Sequence, residues 1–238
     1  MARRGPRWYF SFRSPYSWMA YRDLVDHHPD VAERIDWLPF WEPDAPALDE
    51  LERSNITLPY VPMSKEKHLY ILQDVRRLTR ARNLEMVWPV DPAPRWEVSH
   101  LAYLAAQRLG AGREFIAETY RARWERGEDI SSPDTMRKIG ETIGLDPEQL
   151  AGAHEDAGIR ELGMSALNSL HRDGVFGVPF FICGFDKYWG VDRLPDFIER
   201  LNSAGPSGSA GSPRPSGSAG PSGSTGPSNS TGPSDPST

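Results

Sequence analysis

Three short segments hold the residues best suited to chemistry. The first is Ser14-Pro15-Tyr16-Ser17, which follows the aromatic run Trp8-Tyr9-Phe10. Serine before proline has the form of a helix start: the serine oxygen caps a first-turn N–H, and proline at the first helical position forfeits no hydrogen bond. The N–H groups of that turn have no partners within the helix, and the helix dipole adds partial positive charge, so an anion is favoured there. A hydroxyl at such an end can donate to a thiolate, lowering the thiol pKa and increasing the nucleophile present at neutral pH. The same four residues also serve as a plain N-cap with no ligand.

The second segment is Gly174-Val175-Phe176-Gly177-Val178-Pro179-Phe180-Phe181. Proline at the start of an apolar strand lacks a ladder donor; a cis Val178–Pro179 bond in a tight turn accommodates this, as does a trans proline on a strand edge. In the cis form the N–H and C=O of Val178 are free to pair with an extended peptide ligand. The third, Tyr188-Trp189-Gly190-Val191-Asp192-Arg193-Leu194, runs from a strand end through glycine into a helix. Its open N–H groups suit a carboxylate and Asp192 suits an α-ammonium, although aspartate in a first turn stabilises a helix without any ligand.

Composition narrows the chemistry. The chain has one cysteine, Cys183, so an intrachain disulfide and a Cys-x-x-Cys centre are ruled out, and disulfide oxidoreductase activity is not expected. His27 and His28 suit the end of a helix, the other histidines are scattered singly, and no metal site is expected. The net charge of −6 opposes a nucleic-acid partner. Arg76, Arg77, Arg80 and Arg82 read as a solvated helix face. No apolar run reaches the roughly 20 residues that cross a bilayer, and the basic N-terminus has no signal-like apolar stretch, so a cytoplasmic protein is expected.

The elements that must position these segments follow from pattern. Residues 8–12 and 34–40 read as strands flanking a helix that runs from Ser14 to about His28-Pro29, a βαβ opening. Helical periodicity then dominates, with candidates at 64–81, 96–109, 112–126, 133–143, 147–154 and 159–171. Strands return at 179–183 and 187–189 with Gly184 as the turn, and 194–201 closes as a helix. That order is an α/β thioredoxin-like fold with an all-helical domain inserted after the second strand. Its parts are 1–43 with 172–202, the insertion 44–171, and a Gly/Ser/Pro-rich tail, 203–238, too poor in apolar surface to fold.

Taken together, the segments resemble a known family. Phe10-Ser11-Phe12-Arg13-Ser14-Pro15-Tyr16-Ser17-Trp18 is similar to the opening of kappa-class glutathione transferases and 2-hydroxychromene-2-carboxylate isomerases, whose fold is DsbA-like. Gly174 to Pro179 resembles their cis-proline segment, and Trp189-Gly190-Val191-Asp192-Arg193-Leu194 their Gly-x-Asp-Arg segment. Lys65-Glu66-Lys67-His68-Leu69-Tyr70, Trp88-Pro89 and Gly127-Glu128-Asp129-Ile130 are similar to marks in their helical domain. The resemblance implies a site for glutathione, or another low-molecular-weight thiol, in which Ser14 stabilises the thiolate. Val178 and Pro179 would meet the cysteinyl backbone, Val191 and Asp192 the γ-glutamyl end, and Lys67 and Asn55 the remaining polar groups. Arg13 and Tyr16 would border the substrate; Trp37 and Trp88 lie near segments that should border the two domains, where flat aromatic substrates favour such walls, although a large tryptophan is more often core. Where the transferases carry serine ahead of the aspartate this chain has Val191, leaving only its backbone N–H to serve.

The implied activity is isomerisation of a conjugated, aromatic, acidic small molecule by reversible thiolate addition and elimination. An S-transferase that leaves the thiol on its electrophile is the second reading, and a non-catalytic DsbA-like binding or accessory protein in a biosynthetic pathway the third. The resemblance also implies a homodimer, although no isolated amphipathic stretch marks an interface.

Overall fold

The structure, a computed structural model, describes residues 5–58 and 64–203. The expected tail therefore lies outside the described residues except for Ser203, which ends the last helix. Four strands form one mixed sheet in the order β2-β1-β3-β4: β1 is Arg7–Phe10, β2 Asp36–Pro39, β3 Phe180–Cys183 and β4 Asp186–Trp189. β1 runs parallel to β2 and antiparallel to β3, and β3 runs antiparallel to β4. Every residue of the two central strands is buried, including Arg7 at the start of β1, whose guanidinium is paired with Asp173. The edges carry the features that tolerate an open ladder: Pro39 in β2, and exposed Asp186 and Lys187 in β4.

Helix α1, Pro15–His27, joins β1 to β2, but the connection contains a second helix, α2, Pro29–Arg34. Pro29, read from sequence as a stop, stands in the first turn of α2, where a missing N–H costs nothing. α3, Ala45–Arg53, is also additional to expectation. Asp44 caps its start through Ala47 N–H at 3.0 Å. Its end closes in a Schellman pattern, with Ile56 N–H on Leu51 O at 2.9 Å, Asn55 N–H on Glu52 O at 2.9 Å, and Asn55 at φ 56°. The expected helices follow as α4 (Lys65–Ala81), α5 (Trp96–Arg108), α6 (Gly112–Tyr120), α7 (Pro133–Ile143), α8 (Pro147–Ala151) and α9 (Ala157–Asp173). α6 runs on into a π turn, Arg121–Glu125, and α10, Leu194–Ser203, follows a 3-10 turn at Val191–Arg193.

The sheet and the helices share their core. On one face Phe10 and Phe12 meet Tyr103 of α5 and Tyr120 of α6, each with a ring pair at 5.3 Å. On the other, Tyr9, Phe180 and Ile182 pack with Leu170, so the C-terminal half of α9 covers the sheet. The Tyr9 hydroxyl and the Arg7 guanidinium both donate to Asp173 at 2.6 Å, tying the end of α9 to β1.

Candidate functional site

Strand register brings the three segments to one end of the sheet. Tyr9 stands opposite Phe180 and Phe180 opposite Trp189; carried one residue on, Phe10 meets Pro179. Gly190 N–H donates to Pro179 O at 3.0 Å, and Phe40 N–H to Phe10 O at 2.7 Å. The start of α1, the Val178–Pro179 turn, the Gly190–Asp192 turn and the chain leaving β2 therefore gather together.

Ser14 is the N-cap of α1, at φ −89° and ψ 118°, and its Oγ accepts from Ser17 N–H at 3.2 Å. An oxygen that accepts on a lone pair keeps its O–H to donate elsewhere, and Ser14 is partly exposed. Ser17, by contrast, is fully buried and its Oγ accepts from Ser11 N–H, so only one of the two hydroxyls reaches solvent. The Val178–Pro179 bond is cis, with Val178 partly exposed and Pro179 buried. Gly190 holds φ 106°, and a Cβ there would stand 2.5 Å from Asp192 Oδ1, so the exposed Asp192 carboxylate folds back over the glycine. Val191 is buried.

The loop that delivers Ser14 is held by side chains from the helical segment. Phe12 N–H donates to His100 Nε2 at 3.2 Å, Trp124 Nε1–H donates to Phe12 O at 3.1 Å, and Tyr120 O–H donates to Ser11 O at 3.3 Å. His100 Nδ1 lies 2.7 Å from Trp96 O, which can only accept; that nitrogen therefore carries the proton and Nε2 is free to accept. Burial pushes the His100 pKa down to about 3, against the pull of the Trp96 carbonyl and with the Arg123 cation assisting. The imidazole is thus neutral, with both nitrogens committed to backbone groups. Ala122, Arg123 and Trp124, within the π turn, are all buried.

Other expected site residues take varied positions. Arg13 forms an ion pair with Glu42 and lies over the Trp96 ring at 5.6 Å. Tyr16 O–H donates to Asp74 Oδ2 at 2.9 Å, which fixes α4 against α1; burial, followed by that carboxylate, raises the phenol pKa. Lys67 is exposed in the first turn of α4, and Asn55 is exposed as the left-handed closing residue of α3. Trp88 is exposed and stands edge-on to Trp124 at 6.0 Å, one ring away from the Ser14 loop.

Trp37 is a correction: it belongs to the core. Its Nε1–H donates to Ala32 O at 3.0 Å, Trp8 packs on it at 4.8 Å and the Arg113 guanidinium covers it at 3.6 Å, leaving no face for a substrate. Conversely, His100, Tyr120 and Trp124 were not singled out for the site. No spacing marks them, because their partners lie about a hundred residues away.

A mainly apolar cavity of about 420 Å³ lies beyond the end of β2, lined by Phe40, Trp41, Glu42, Leu51, Ile56 and Leu58. Phe40 and Leu58 belong to the same apolar cluster as Val178, and Glu42 connects the cavity to Arg13. No group of three or more His, Cys, Asp or Glu able to hold a metal occurs among the described residues. No helix among them is long and apolar enough to cross a membrane.

Comparison with known proteins agrees with this architecture. The family model for the DSBA-like thioredoxin domain matches residues 7–202. The chain is 28% identical over 200 residues to a 2-hydroxychromene-2-carboxylate isomerase of Sphingobium xenophagum, covering 80% of this chain and 94% of that protein. A solved 2-hydroxychromene-2-carboxylate isomerase aligns with a TM-score of 0.65 at 18% identity, over 84% of this chain and 95% of its own. The cytosolic disulfide reductase DsbM of Pseudomonas aeruginosa, solved with GSH, aligns with a TM-score of 0.55 at 15% identity, over 84% and 98% respectively.

Proposed function

Since the chain belongs to the DSBA-like thioredoxin domain family, we propose that it is a glutathione-dependent isomerase of a conjugated, aromatic, acidic small molecule. The observation that carries this reading is the partly exposed Ser14 hydroxyl at the start of α1, facing the same end of the sheet as the cis Val178–Pro179 turn. The chain has no thiol there, its one cysteine being buried in β3, so the sulfur nucleophile comes from a small thiol. The 28% identity to an enzyme named for 2-hydroxychromene-2-carboxylate supports that substrate class.

In this mechanism the Ser14 O–H and the first-turn N–H of Tyr16 would stabilise the glutathione thiolate, the N–H groups of Ser17 and Trp18 being taken by Ser14. When bound, glutathione would supply a sulfur nucleophile that adds reversibly to a conjugated carbon, allows the former double bond to rotate and leaves with its own electron pair, so that it is not consumed. Val178 N–H and C=O pair with the cysteinyl backbone, Val191 N–H and Asp192 take the γ-glutamyl end, and Lys67 and Asn55 take its remaining polar groups. Trp88 and Tyr16 flank the substrate, whose carboxylate competes with Glu42 for Arg13.

The test is turnover of 2-hydroxychromene-2-carboxylate with and without glutathione. Turnover should require glutathione and leave its concentration unchanged, and Ser14→Ala should lower kcat/KM at neutral pH by about tenfold, the thiolate population lost when the bound thiol pKa rises by about one unit. Stoichiometric loss of glutathione would make the protein a transferase. Full activity in Ser14→Ala would refute the proposed role of the hydroxyl.

A further inference from the structure

A second cavity, of about 350 Å³, lies between α3, α5 and α9, separated from the first by α3 and Trp41. Its volume is at the lower end of the range for small-molecule sites. Trp41, Ala47, Leu101, Met164 and Leu167 give it apolar walls, and the exposed Glu50, Ala157 and Glu161 border its mouth.

One wall carries an unusual group. Glu97 is only 7% exposed, and its Oε1 has no hydrogen-bond partner. The nearby cation is committed elsewhere: Arg160 donates to both oxygens of Asp44, at 3.0 and 2.9 Å, and to His154 O at 3.1 Å. Burial raises the Glu97 pKa and the Asp44 carboxylate adds to the effect, while hydrogen bonds from the backbone N–H groups of Glu97 and Asp44, and the Arg160 cation, only partly oppose it. A buried carboxylate without a counter-ion is costly, and a ligand that supplies the missing positive charge removes that cost. Arg160 also lines the cavity, its charge paired with Asp44, and the other charged lining groups, Glu50, Glu97 and Glu161, are all acidic.

We propose that this cavity binds a small organic ammonium ion with an apolar body, the ammonium pairing with the Glu97 carboxylate and the hydrocarbon filling the space between Trp41, Leu101 and Met164. The site is independent of thiol chemistry, and Ser14 takes no part in it.

The experiment is a thermal-shift and calorimetric titration of the full chain, without thiol, using phenethylamine, tyramine and isopentylamine. The matched alcohols, including 2-phenylethanol, serve as neutral probes and 3-phenylpropanoate as the anion. At least one amine should raise Tm at millimolar concentration and bind about ten- to a hundredfold more tightly than its alcohol, the range expected for a charged hydrogen bond. The anion should give no shift. Glu97→Gln should raise Tm without ligand, because the uncompensated carboxylate is gone, and should abolish the preference for amine over alcohol. Ala157→Phe, at an exposed position on the mouth, should block binding without unfolding the protein, and Ser14→Ala should leave it intact. Absence of a shift with all three amines, equal binding of amine and alcohol, or undiminished amine binding to Glu97→Gln would each overturn the proposal.

Discussion

Acidification should loosen the Ser14 loop through His100. The imidazole is fully buried, with a folded pKa near 3 against 6.5 for the free side chain. Between those values the unfolded chain binds a proton that the folded chain does not, so stability rises with pH across the window. The contribution is complete above about pH 6.5 and is lost at about 1.4 kcal/mol per pH unit on going down. At about pH 4.5 the loss from this one group reaches about 3 kcal/mol, a large part of a typical domain's stability.

Replacing the imidazole isolates that term. His100→Asn loses the acceptor for Phe12 N–H and part of the packing on Trp41, a stacked pair at 5.6 Å, and should cost about 2–4 kcal/mol near pH 7.5. Since asparagine does not titrate, the gap between native and variant should close by about 2–3 kcal/mol by pH 4.5. Urea unfolding of both proteins at four pH values measures it, and the subtraction removes the carboxylates and the other histidines. Parallel curves from about pH 7.5 to 4.5 would refute the assignment of a neutral, doubly engaged His100.

Three further substitutions probe the site's supports. Trp124→Phe keeps most of the packing but strands Phe12 O, and should cost about 1–3 kcal/mol in urea unfolding. Gly190→Ala forces a side chain into φ 106° and against Asp192, and should cost about 1–3 kcal/mol while raising KM for glutathione more than it lowers kcat. Asn55→Gly should leave stability within about 1 kcal/mol of native, whereas Asn55→Ala should lose about 1–2 kcal/mol because alanine resists the left-handed cap. Unequal glutathione affinity in equally stable Asn55 variants would assign the side chain a binding role beyond its cap.

The elements legible in sequence were those that announce themselves locally. Ser14-Pro15 marked a helix start, the apolar run after Pro179 marked a strand, and Gly190 marked a turn, each through a residue with one strong backbone preference. The expected turn and the expected helix start then met because strand register brought them together. α3 was missed because Pro43 and Pro46 read as loop punctuation, and the helix buries only Ala47 and Leu51. α2 was missed because one proline ends a helix and begins another. Trp37 was misplaced because a tryptophan beside a domain junction serves a pocket wall and a core equally well until its neighbours are known. His100 carried no signal, since its importance lies in an acceptor offered to Phe12, 88 positions earlier.

The central claim, that the Ser14 hydroxyl stabilises a bound thiolate, is tested most directly by titrating the thiol of glutathione in its complex with the protein, followed by thiolate absorbance in the native chain and in Ser14→Ala. The account predicts a bound thiol pKa at least about one unit below that of free glutathione, rising back by about one unit or more in the variant while glutathione remains bound. An unshifted pKa in the native complex, or the same lowered value in Ser14→Ala, would contradict it.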